Sequence, residues 1–257
     1  MKIDIKKLLF KFIGLLLIGV IVDLVGKPLG GGLKEAIKSI FHLVVNANLL
    51  VDLCITTKRF LIGFLFAVVT AIPLGVLIGR IRMLYQIFEF PIEMLRPIPS
   101  AVVIPFGLAW LGVGSNMKIF VIWYGAFWPL LIYTISACKN IDPILLEVAD
   151  VFHIGKFNTL KSVIIPAAIP SIIAGTRVSM GIALLLAVTV EMIAGGNPNG
   201  IGFFIIDSER SFRQNYMIAG TVVLALLGYG LNLIFVKSEM ALMAERYNYL
   251  KGECNER

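Results

Sequence analysis

Charge is what this sequence has least of. Only 15% of its 257 residues are Asp, Glu, Lys or Arg, where a soluble domain carries about 25%. Hydrophobic residues make up 58% and the mean hydropathy is +0.91. A chain so poor in charge cannot cover a surface that faces water, so its main solvent is lipid. That excludes a soluble enzyme, a disordered regulator and a nucleic-acid module. The net charge of +7 forms no reading face of clustered Lys and Arg, so no nucleic acid is expected as a partner. Cysteine is scarce: Cys54, Cys138 and Cys254 lie far apart, without metal or disulfide spacing, and no metal is expected. The two histidines, His42 and His153, fall outside the apolar runs. No Ser–His or Asp–Asp pair falls inside them, so an intramembrane catalyst has no machinery and no catalytic residue is assigned. The phosphate cradle G-x-x-x-x-G-K-[ST] is also missing, so the chain is not its own ATPase.

What is present is a series of apolar runs. A membrane span needs about 20 mostly apolar residues. The first run, Leu8 to Val25, follows a Lys-rich start; no small-residue cleavage site comes after Val25, so it reads as an uncleaved span rather than a signal peptide. Leu33 to Leu50 reads as an amphipathic helix lying at the interface. Span two covers Phe60 to Gly79 and is stopped by Arg80 and Arg82. A short amphipathic piece, Met83 to Leu95, precedes the turn Arg96-Pro97-Ile98-Pro99, and a short span three follows from Ala101 to Val113. Span four is Met117 to Cys138, span five Ile169 to Ala194, and span six Tyr216 to Val236. Gly196-Asn197-Pro198-Asn199-Gly200 marks a turn in the loop 195–215. The expected fold is an all-α integral membrane protein with six transmembrane helices. The chain reads as one permease domain, 1–257: an N-terminal span and amphipathic segment (1–55), a core (56–240) and a short tail (237–257).

Lys and Arg number fourteen in the segments on the side of the termini and eight on the other. The positive-inside rule then puts both termini, and the segment 139–162, in the cytoplasm. Two small-residue stripes mark helix seams: Ala67, Ala71, Gly75 and Gly79 in span two, and Ser171, Gly175, Ser179, Ala183 and Ala187 in span five, the next step being Glu191. The span-five seam reads either as plain helix packing or as the side of a substrate path. Charges inside spans are costly and so are functional candidates. Arg177 and Glu191, with Ser179 between them and Pro99 in the Pro-rich turn, are the candidate path residues. Asp23, near a span end, reads as solvated, and the tryptophans Trp110, Trp123 and Trp128 read as belts and packing.

The segment 139–170 carries the most information. Asp142 is a candidate N-cap and Pro143 suits the first helical position. A short helix through Glu147 to Phe152 follows, which Gly155 can end, and a second helix holds Phe157 to Ile164 before Pro166. With too few apolar residues to fold alone, this helix must dock on something.

Here the sequence resembles the membrane subunits of ATP-binding-cassette importers. Their cytoplasmic coupling loop carries Glu-Ala-Ala, a later Gly and an Ile-x-Leu-Pro; Glu147, Ala149 and Val163-Ile164-Ile165-Pro166 fall at matching spacings. Val148 stands for the middle Ala, His153 stands where the family usually has Gly, and Gly155 comes two positions late. Further along, Ile72-Pro73-Leu74-Gly75, Leu95-Arg96-Pro97-Ile98-Pro99, Trp110-Leu111-Gly112-Val113-Gly114 and Gly200-Ile201-Gly202-Phe203 look like the nitrate/sulfonate/taurine-type permeases. The resemblance implies a coupling helix between spans four and five, with Glu147, Val148, Ala149, Asp150, His153 and Gly155 at the ATPase-coupling surface. It also implies a homodimer, two ABC ATPase subunits that bind the ATP and Mg, an extracytoplasmic solute-binding protein, and a place in the bacterial cytoplasmic (inner) membrane. The expected solute is a small anion such as a sulfonate, taurine or nitrate; a pyrimidine or other vitamin precursor is the alternative. An ion-coupled secondary transporter would need midplane carboxylates and internal repeats, neither of which is visible.

Overall fold

The computed structural model of the protein describes residues 23, 38–43, 48–195 and 200–255. Among them all regular structure is helical. From residue 48 onward nine α-helices follow one another: α1 (Asn48–Arg80), α2 (Arg82–Leu95), α3 (Val103–Leu111), α4 (Ser115–Lys139), α5 (Pro143–Val151), α6 (Lys156–Thr159), α7 (Ile165–Ala194), α8 (Ile201–Arg210) and α9 (Gln214–Asn255). Four helical stretches of the described residues are long and apolar enough to cross a membrane, and α2 with the 100–111 helix makes a fifth if the bent pair counts as one. The expected span Leu8 to Val25, and most of the amphipathic segment 33–50, lie outside the described residues.

The core is a three-helix sheaf with α4 in the middle. Its small-residue seams set the distances. A Cβ added at Gly63 would meet Ile122 at 2.7 Å, at Gly75 it would meet Thr134 at 2.6 Å, and at Gly79 it would meet the carbonyl of Ile135 at 2.8 Å. Both helices therefore advance together: α1 runs parallel to α4, with Ala67 and Ala71 fully buried between them. On the other side Gly175 admits Tyr133 and Gly125 admits Leu186, so α7 runs antiparallel to α4. Gly175, Ser179, Ala183, Ala187 and Glu191 are all buried. The span-five seam is thus a helix-packing seam. The end of the sheaf that carries the 140–164 connection is called the loop end, and the opposite end the far end.

Three elements differ from the sequence reading. Span two is longer: α1 begins at Asn48, a dozen residues ahead of Phe60. Lys58 and Arg59, which lie just ahead of the expected span start at Phe60, sit within that helix, because Arg59 finds a buried anion across the sheaf. Span five is also longer. It does not start afresh after Pro166 and Pro170; the helix runs unbroken from Lys156 to Ala194. A single π turn at Leu160–Ile164 lies just ahead of Pro166. Such a turn shifts the hydrogen-bond register and accommodates the proline ring and its missing N–H. Third, the loop 195–215 contains a helix, α8, that periodicity did not reveal. Span three is broken, as its prolines suggested: α2 and the 100–111 helix meet at 81° across Arg96–Pro99. The charged tail continues α9 rather than ending it.

Candidate functional site

Three places concentrate chemistry: the connection at the loop end, a charged cluster at the far end, and a cavity between them.

At the loop end, Asp142 and Pro143 start α5 as expected. The Asp142 carboxylate accepts the Ile144 N–H at 2.9 Å, and Pro143 occupies the first turn. The end of α5 is made by His153, not by Gly155. The Ile154 N–H donates to the Ala149 carbonyl and the His153 N–H to the Asp150 carbonyl, each at 3.0 Å. This is a Schellman motif over 149–154, whose fifth residue takes a left-handed backbone. His153 has φ 52°. The position at which the resembled family carries Gly therefore keeps its geometry here with a histidine, whose Nδ1 lies 3.1 Å from the Asp150 and Val151 carbonyls. Gly155, at φ −58°, needs no such freedom and instead precedes α6. Ala149 is buried against the body of the chain. Glu147, Val148 and Asp150 face outward, as do Ile144, Val151, Phe152 and Phe157. These outward side chains of α5, its cap and α6 form an exposed apolar patch of the kind that marks interaction surfaces.

At the far end, Glu191 of α7 is fully buried and ion-paired with Arg59 of α1 at 2.7 Å. Its other oxygen accepts from the Thr56 hydroxyl at 2.8 Å and from the Gly202 N–H at 3.1 Å. Thr56 in turn accepts the Ile201 N–H at 2.9 Å. The first two amides of α8 are thus capped by side chains from two other helices, and the positive end of α8 faces a carboxylate. Arg59 also donates through Nε and Nη2 to the Ser115 hydroxyl at the start of α4. Lys118, one turn on, is buried with no hydrogen-bond partner for its ammonium. Gly200 and Gly202 are glycines because Glu191 and the Val188 carbonyl occupy the space a Cβ would need. The Gly-Ile-Gly-Phe motif is the dock for Glu191.

Between these ends lies a cavity of about 410 Å³, walled by the break Arg96–Ser100, by Gly125, Trp128 and Tyr133 of α4, and by Val178 and Ile182 of α7. Pro99, a predicted path residue, lines it. The other three do not. Arg177 is ion-paired with Glu239 of α9. Ser179 is turned into the helix seam, its hydroxyl without a partner. Glu191 is consumed by the far-end cluster. A second cavity of about 270 Å³ adjoins the first, sharing Arg96 and Ile132, and reaches Lys139 and Asn140 at the loop end. Its wall includes Tyr85, Glu89, Ile92 and Glu93, one face of α2. Sequence reasoning missed both α2 carboxylates. Their i, i+4 spacing opposite Met83, Ile87, Phe90 and Met94 was the available signal.

Comparison with known proteins agrees with this architecture. Residues 71–239 match the family described as binding-protein-dependent transport system inner membrane component. A protein described as an ABC transporter permease in Methanocaldococcus jannaschii is 39% identical over 189 residues, 73% of this chain and 70% of that protein. The Bacillus subtilis protein SsuC, described as an aliphatic sulfonates transport permease, is 32% identical over 73% of this chain and 67% of its own length. The nitrate import permease protein NrtB of Leptolyngbya laminosa is 33% identical over 68% of this chain and 62% of its own length. Among solved structures, the MetNI methionine ABC transporter in inward-facing conformations superposes with a TM-score of 0.66 at 18% identity, covering 75% of this chain and 95% of that one; it shares the fold. A permease is not itself an enzyme. The chain belongs to the binding-protein-dependent transport system inner membrane components, as an ABC importer permease of the nitrate/sulfonate/taurine type.

Proposed function

We propose that this chain is the membrane-spanning subunit of an ATP-driven importer for a small oxyanion of the sulfonate, taurine or nitrate kind. It works as a homodimer in the cytoplasmic membrane, with both termini inside, two ABC ATPase subunits below it and an extracytoplasmic solute-binding protein above. ATP and Mg are held by the ATPase subunits. The observation that carries the reading is the connection Pro143–Ile164. It is a capped helix with Ala149 turned inward and Phe152, Val151 and Ile144 turned outward, set between two spans and joined through the turn 152–155 to the unbroken helix Lys156–Ala194. Displacement of α5 by a closing ATPase dimer passes through the π turn into α7, which packs along α4 and the central cavity. Glu147 and Asp150, exposed beside the apolar group, suit basic or polar groups on the ATPase. Homodimerisation is supported by α2, which is amphipathic yet has no buried residue. Sulfonate or nitrate as solute is supported by the relatives named for those ions.

The test is reconstitution in proteoliposomes with the cognate ATPase and binding protein. ATP-dependent accumulation of ethanesulfonate, taurine or nitrate is expected. Uptake driven by an ion gradient without ATPase overturns the mechanism, and ATP-driven uptake of a pyrimidine in place of these anions overturns the solute assignment.

A further inference from the structure

We propose that the 410 Å³ cavity between the Arg96–Ser100 break, α4 and α7 is a station that holds a small oxyanion midway across the permease, with Arg96, Ser100 and Trp128 as its ligands. This rests on the permease reading above and names the residues that meet the solute inside the membrane.

Four observations carry it. The volume lies within the range of about 300–1,000 Å³ typical of small-molecule sites. Among the lining residues the only formal charge is the Arg96 guanidinium, and no carboxylate is present. Arg96 forms no ion pair among the described residues, although Glu93 lies one turn behind it on α2. At the break its guanidinium is exposed along the edge of the cavity, with no carboxylate among the lining residues to take its charge. Trp128 lines the cavity, and its buried indole N–H has no acceptor; a buried donor left unmade costs about 1–3 kcal/mol unless a ligand or water supplies the acceptor. Finally, Gly125 leaves room for Ser100: a Cβ there would lie 2.7 Å from the Ser100 Oγ. The glycine thereby lets the broken span bring a hydroxyl against α4. A guanidinium, an indole N–H and a hydroxyl around one apolar-walled space form a donor set for an acceptor-rich anion such as a sulfonate or nitrate. The adjoining cavity differs in kind: Glu89 and Glu93 stand there with Lys139, whose ammonium is committed over the Tyr85 ring. Two carboxylates thus offset the cations lining the adjoining cavity, while Arg96 is the one charge lining the first.

The experiment is calorimetric titration of the full chain in lipid nanodiscs with ethanesulfonate and, separately, with ethylammonium, a cation of similar size. The native chain is expected to bind ethanesulfonate and not ethylammonium. Arg96→Gln is expected to weaken ethanesulfonate binding roughly 10- to 100-fold, the loss of a charge-assisted hydrogen bond, and Arg96→Lys to recover part of it. Trp128→Phe keeps the ring and removes only the N–H, with about a fivefold loss expected; it tests the site even if the Arg96 variants fold poorly. No ethanesulfonate binding to the native chain, equal binding of ethylammonium, or unchanged affinity in both Arg96→Gln and Trp128→Phe overturns the proposal. The permease reading fails differently: anion binding persists, but ATP drives no uptake when ATPase and binding protein are added.

Discussion

The two ends of the helix sheaf break opposite rules. At the far end, Arg59 and Glu191 are ionic yet 3% and 0% exposed in their side chains. At the loop end, Val151, Phe152 and Phe157 are apolar yet 75%, 73% and 76% exposed. The exception made by Arg59 and Glu191 is resolved within the chain, though the nearby Lys118 ammonium has no hydrogen-bond partner: Arg59, Thr56, Ser115, Glu191 and the amides of Ile201 and Gly202 satisfy one another across α1, α4, α7 and α8. The loop-end exception is not resolved within the chain, because those side chains have nothing described to rest on. A closed polar cluster points to a fixed joint, and an open apolar one to a missing partner. On the function proposed above, the first would hold helices in register while the second would receive force.

Substitutions at the two ends separate these roles. The largest effect is expected from Glu191→Ala, which strands a buried guanidinium and uncaps α8; a loss of about 3–5 kcal/mol follows from breaking a buried pair, measured as thermal unfolding in detergent by circular dichroism. If the joint is structural only, replacing both partners, Arg59→Met with Glu191→Leu, recovers most of that loss. Phe152→Ser comes next. It is expected to weaken association with the ATPase by about 1.5–3 kcal/mol, the value of burying one large apolar side chain, in a pull-down titration. The same variant leaves chain stability within about 0.5 kcal/mol; a destabilised chain would mean that Phe152 packs at home and that the contrast is false. Thr56→Val keeps the shape but leaves the Ile201 N–H without its acceptor, with about 1–3 kcal/mol lost on unfolding. The smallest effect is His153→Gly. A left-handed backbone costs an L-residue about 1–2 kcal/mol and glycine gives back part of this in unfolded-chain entropy. A gain below about 1 kcal/mol is therefore expected, and a loss would show that the His153 ring contacts matter more than its backbone.

Much of the fold was legible because the signals were local. Apolar runs of sufficient length mark α4, the apolar part of α9 and the cores of α1 and α7. Asp142-Pro143 marks the start of α5 through a cap spanning two residues, and Arg96-Pro97-Ile98-Pro99 marks the break through prolines that remove donors. The four-residue glycine and alanine stripes mark the faces of α1 and α7 that approach α4. What misled was local as well. Lys58 and Arg59 looked like the end of a span because adjacent charges usually are, and Gly155 looked like a helix terminator because glycine usually is. Pro166 and Pro170 looked like helix starts, since no sequence rule announces a π turn upstream.

The site was less legible than the fold. Pro99, singled out by its motif, lines a cavity, whereas Arg177, singled out by its depth in the span, meets Glu239 of α9, a partner no local pattern announces. Glu191 stood out as a charge at the end of a small-residue seam, but its partner Arg59 lies 132 positions earlier, beyond the reach of a local reading. By itself the sequence determined that this chain lives in lipid, where the apolar cores of its long helices lie, and that a capped helix interrupts them at 143–151, because these follow from solvent preference and from hydrogen bonds between near neighbours. Only the tertiary structure decided which charges are buried, which are paired and which face a cavity. The free energy of a charge in a low-dielectric interior depends on the group placed against it, and that group comes from another helix.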